Sequence, residues 1–93
     1  MNQCLRITFV VPVGKREKLR AKIHKQARTL LLEGTVQVVR DTHIKVVACG
    51  SRENMEQFLD TLHHEIARQK CDTLEIEPFL KERDYRGVFR VIE

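Results

Sequence analysis

Two apolar stripes at helical spacing, set on either side of a valine-rich pair of strands, constrain this chain more than any other feature. Leu19, Ile23, Ala27, Leu30 and Leu31 recur with basic and polar residues between them across residues 15–32, and Met55, Phe58, Leu59, Leu62 and Ile66 recur after Gly50-Ser51. Each set marks one face of an amphipathic helix, which must be buried against something. Ahead of the first stripe, Leu5, Ile7, Phe9 and Val11 alternate with Arg6, Thr8 and Val10. That period of two reads as a strand with one face on a core, ended by Pro12 and Gly14. Gly34 closes the first helical region, residues 35–40 form a second strand, Asp41-Thr42 a short turn, and residues 43–49 a third strand, so the pair is a hairpin.

Ser51 is a suitable N-cap for the second helix, which should end near Gln69 or Lys70. Leu74 and Ile76 mark a fourth strand stopped by Pro78, and residues 88–92 form a last β-rich segment after the polar run Lys81-Glu82-Arg83-Asp84. The order is βαββαβ plus a terminal strand. Two helices can bury their stripes together only on one face of a sheet, which predicts a two-layer α/β (α+β) sandwich of the ferredoxin-like kind, an antiparallel sheet with both helices on one side. With 93 residues, two prolines and four glycines, the chain reads as one domain over 1–93, with any site at the surface or an edge.

No run approaches the roughly 20 apolar residues of a membrane span, and the opening Met-Asn-Gln-Cys-Leu-Arg has no secretory pattern. The expected location is therefore cytoplasmic. Cys4, Cys49 and Cys71 form no C-x-x-C pair, and three reduced thiols are expected, although Cys4 and Cys49 would meet if the first and third strands pair antiparallel. His24, His43, His63 and His64 have no metal-ligand spacing and read as surface residues, so no metal is expected. The net charge of +4 comes largely from Lys15, Arg16, Lys18, Arg20, Lys22, Lys25 and Arg28, relieved only by Glu17. Such a segment reads either as a solvated helix face or as an anion-seeking patch.

Leu30-Leu31-Leu32-Glu33-Gly34-Thr35-Val36-Gln37 and Ile44-Lys45-Val46-Val47-Ala48-Cys49-Gly50 resemble the acylphosphatase family, whose segments read L-G-L-x-G-x-V-x-N and V-x-V-x-A-x-G. The resemblance implies hydrolysis of the carboxyl-phosphate bond of an acyl phosphate, with no metal or cofactor. A loop after the first strand, typically x-G-x-V-Q-G-V-G-F-R, would offer backbone N–H groups to the phosphate, its final arginine would pair with the phosphoryl oxygens, and an asparagine on the second strand would orient the attacking water. This suits phosphoryl transfer, which is catalysed mainly by positioning and charge stabilisation.

Counted without gaps from Gly34, the family arginine falls on Arg20, at the start of the helix, and the asparagine on Val38. Valine can neither donate to a phosphate nor accept from water. In the loop, Gly14 remains but Arg16 and Lys18 stand where the family has glycine, and Leu31 occupies the family's helix-ending glycine. The expectation is an acylphosphatase-like domain with a degenerate active site, inactive or weakly active, that binds a small phosphate or carboxylate anion near Gly14, Lys15, Arg16, Lys18 and Arg20. Two alternatives stand beside it: a working acylphosphatase with a rearranged loop, and a protein-interaction module using a sheet edge or the basic helix. The sequence leaves open whether the chain is an enzyme. RNA recognition of the kind this strand order also hosts is disfavoured, because residues 43–49 contain no aromatic side chain.

Overall fold

Alternation along the first strand places Leu5, Ile7 and Phe9 in the core and sends Arg6 and Thr8 to the other face. A computed structural model describes residues 2–12, 14–40, 42–78 and 87–92. The elements run β1 (Asn2–Val10), α1 (Arg16–Thr29), β2 (Glu33–Val39), β3 (His43–Ser51), α2 (Arg52–Arg68), β4 (Asp72–Pro78) and β5 (Phe89–Ile92). The sheet order is β4-β1-β3-β2-β5. Among the five strands, β1 pairs antiparallel with β3 and β4, and β2 pairs antiparallel with β3. The sheet is mixed rather than wholly antiparallel, as the sequence had suggested, because β5 lies parallel to β2, with Gly34 opposite Phe89 and Val36 opposite Val91. The polar run 81–84, together with Val13 and Asp41, lies outside the described residues.

One core fills the space between sheet and helices. Leu19, Ile23 and Ala27 of α1 and Met55, Phe58, Leu62 and Ile66 of α2 pack on Ile7, Phe9, Val36, Ile44, Val46 and Phe89. Ser51 caps α2, its hydroxyl accepting from the Asn54 N–H at 3.2 Å, as expected. Leu31, assigned to the buried stripe by its spacing, is instead 83% exposed. The helix has already ended: Leu31 takes φ 56°, its N–H reaches the Arg28 carbonyl, and the Leu32 N–H reaches the Ala27 carbonyl. This paired closure turns residue 31 outward and residue 32 into the core. The same closure ends α2 at Lys70 (φ 58°), where the Lys70 and Cys71 N–H groups bond the Ala67 and Ile66 carbonyls.

At Gly34, φ is 141° and an added Cβ would collide with the Val47 carbonyl oxygen. Only glycine lets β2 approach β3 here. Cys4 and Cys49 occupy facing positions on β1 and β3, 4.1 Å apart at Cα, and are joined by a disulfide. This corrects the expectation of three thiols: the register alone brings the pair within bridging distance, leaving Cys71 as the free cysteine.

Candidate functional site

Strand directions gather the expected site residues at one end of the sheet. β1 and β2 finish at this end and β3 begins there, Val10 and Val39 both facing His43. Val11 donates to the Thr42 carbonyl at 2.7 Å, tying the segment after β1 to the β2–β3 turn. Gly14 has φ 89°, and Lys15 donates to the Pro12 carbonyl at 3.2 Å, so the chain turns tightly into α1. Positive φ at this turn is the reason glycine suits it.

The helix then begins at Arg16, so Arg16 and Lys18 belong to its first turn and only Gly14 and Lys15 precede it. Arg20 lies on the second turn and not at the helix start where the sequence placed it. With Lys15 as N-cap, α1 has no side-chain hydrogen bond closing its first turn. The first N–H groups of a helix carry partial positive charge and no intrahelical partner. Lys15 and Lys18 are exposed, and Arg16 and Arg20 are half-buried. The Arg20 side chain forms no hydrogen bond or ion pair among the described residues.

Helix α1 runs back over β2, joined to it by a short connection. The ten residues from Arg20 to Leu30 climb about 15 Å in the helix, and the five from Glu33 to Val38 about 16 Å in the strand, so Arg20 and Val38 stand at the same height above that connection. Val38 faces Ile44, shares the core-facing side of β2 with Val36, and packs against the core. Val38 therefore offers only an apolar side chain at this level of β2. Gln37 faces Lys45 on the opposite side of the sheet. Asn54, in the first turn of α2, and Asn2, opposite Ser51, lie at the far end. None of the three can take over the role of the missing asparagine.

Cys71 also comes to this end, just beyond α2 and before Asp72, which faces Val10. Burial pushes its thiol above the ordinary range, the positive charge of Lys15 pulls it partly back, and Glu65 adds to the rise. No local pattern signals this placement, because it depends on where α2 and β4 meet. Of the histidines, His24 contacts the Phe89 carbonyl through Nε2 at 2.8 Å, His43 Nδ1 lies 2.8 Å from the Thr42 hydroxyl, and His63 and His64 are exposed on α2. Among the described residues no three His, Cys, Asp or Glu side chains gather as a metal site. No helix among them is long and apolar enough to cross a membrane.

The fold, a five-stranded mixed sheet with two helices packed on it, is the acylphosphatase-like α+β sandwich. The acylphosphatase family profile matches residues 18–91, and the chain belongs to that family. No match was found among curated proteins. Among solved structures, an acylphosphatase from Coxiella burnetii superposes with TM-score 0.80 at 23% identity, covering 98% of this chain and 93% of that one. The acylphosphatase from Bacillus subtilis gives TM-score 0.74 at 16% identity, with both chains wholly covered. A full-length HypF in its phosphate- and nucleotide-bound form gives 0.73 at 16% identity, matching all of this chain but 12% of that one.

Proposed function

We propose that this chain is an acylphosphatase-like domain whose active site has lost its water-orienting group, and which holds a small phosphate or carboxylate anion at the start of α1 while hydrolysing acyl phosphates weakly or not at all. The observation that carries this reading is Val38, a half-buried apolar side chain packed against the core at the height of Arg20. The anion-binding half of the site fares better. The open first turn of α1, the Arg20 guanidinium, unpaired among the described residues, and the exposed Lys15 and Lys18 put positive charge at this end of the sheet. Backbone N–H groups at a helix start and a guanidinium suit a phosphate.

Losing one preorganised polar partner of a transition state lowers rates by about 10²- to 10³-fold. Acetyl phosphate hydrolysis by the wild type should therefore be about 10²- to 10³-fold slower than by a family member that carries the asparagine, and Val38→Asn should raise it, provided the α1 start still seats the phosphate. Inorganic phosphate should move the amide signals of residues 14–20, and Arg20→Ala should abolish that movement. Brisk wild-type turnover that is lost in Arg20→Ala would sink the degenerate-site reading and leave a working acylphosphatase with a rearranged loop, which the family match favours. Phosphate that moves no signal in that segment would sink the anion-binding reading.

A further inference from the structure

A second surface lies on the other half of α1. His24, Arg28, Leu31, Leu32, Val88 and Phe89 line an open groove of about 430 Å³ between the helix and β5. It continues along the helix past Lys25 and Thr29. Its floor is fixed, because His24 bonds the Phe89 carbonyl and its ring lies 6.2 Å from that of Phe89. Above the floor stand two exposed aliphatic residues, Leu31 at 83% and Val88 at 40% exposure.

Leu31 gives the fold little in return for its position. A left-handed residue is disfavoured for any side chain, glycine being the usual solution at this helix-closing position, and the leucine side chain is left in water. Lys25 and Arg28 are exposed beside it, and the side chain of neither has a hydrogen-bond or ion-pair partner among the described residues. The surface thus combines an apolar ledge with two unengaged positive charges.

We infer that this groove docks an acidic segment of a partner protein, with Leu31 and Val88 taking an apolar side chain of that segment and Lys25 and Arg28 its carboxylates. Charge complementarity selects an acidic partner, and the exposed aliphatic ledge selects a peptide over a nucleic acid, since bases stack on exposed aromatic faces, whereas of the two rings here Phe89 is buried and His24 is half-buried with its Nε2 held at the Phe89 carbonyl. The surface is separate from the α1 start, and the inference does not rest on the anion-binding reading.

The test is amide chemical-shift titration of the whole protein with a synthetic octapeptide of glutamates around a central leucine. Its companions are the same peptide with serine for leucine and a twelve-nucleotide single-stranded DNA. The leucine peptide should move signals of residues 24–32 and 87–89 and leave those of 14–18 in place. Leu31→Gly, which keeps the helix closure, should weaken binding about tenfold, and Arg28→Glu should abolish it, both variants retaining the wild-type circular dichroism spectrum. The inference is overturned if the leucine peptide moves no signal there, if the serine peptide binds as well, or if the DNA binds more tightly to the same residues. It is equally overturned if the free protein self-associates through these residues as its concentration rises.

Discussion

The two helices begin in opposite ways. At α2, the Ser51 hydroxyl takes up an N–H of the first turn, so the chain satisfies its own helix start. At α1, Lys15 offers no such bond, and the nearby Arg20 guanidinium is also unpaired among the described residues. Both helices carry one acidic residue in the first turn and close through the same left-handed turn, so their beginnings and charges are what differ. Helix α2 is finished by its own sequence, whereas α1 is left open at the end where family members meet a phosphate.

The largest effect should come from the buried faces, where α2 contributes the bulkier side chains. Phe58→Ala should lower stability by about 3–5 kcal/mol and Ile23→Ala by about 2–4 kcal/mol, read from urea unfolding; equal losses would mean that α2 does not anchor the core more heavily. The helix starts come next. Ser51→Ala should cost about 1 kcal/mol, whereas Lys15→Ser, which supplies α1 with a cap, should raise stability by up to about 1 kcal/mol and weaken phosphate binding. A Lys15→Ser variant unchanged in both respects would show that the α1 start is already satisfied.

Smaller still is the effect of the closing turns: Leu31→Gly and Lys70→Gly should each stabilise by at most about 1 kcal/mol by removing the left-handed strain. The smallest concerns Cys71. Its raised thiol keeps the proton to higher pH in the folded state, so stability falls as pH climbs through the thiol range. Iodoacetamide at pH 8 should modify one cysteine without reductant, and more slowly in the folded than in the urea-unfolded protein. Three modified cysteines would contradict the Cys4–Cys49 bridge.

Elements set by local pattern were legible in the sequence. The alternation in β1, the stripes of both helices and the Ser51 cap depend on neighbours along the chain. What could not be read depends on distant partners or on an abrupt change of backbone. The parallel docking of β5 on β2 has no local signature, since Phe89 and Val91 would alternate in the same way beside either neighbour. The outward turn of Leu31 breaks the very period that placed it in the core. The start of α1 was blurred because Arg16 and Lys18 favour helix where the family carries glycine. Arg20 and Val38 were brought to one level only by the return of α1 over β2, and Cys71 joined them only through the meeting of α2 and β4.

The pairing of β5 with β2 also governs when the protein can finish folding. Phe89 meets Gly34 and His24 across more than fifty residues of chain, so this flank of α1 stays uncovered until β5 has been made. Long-range contacts of this kind form late because the intervening chain must first be closed into a loop. During synthesis, a nascent chain stopped before Phe89 would leave β2 as an edge strand, Gly34 to Gln37 lacking their parallel partner. Until β5 arrives, that open edge is a template for pairing with another chain.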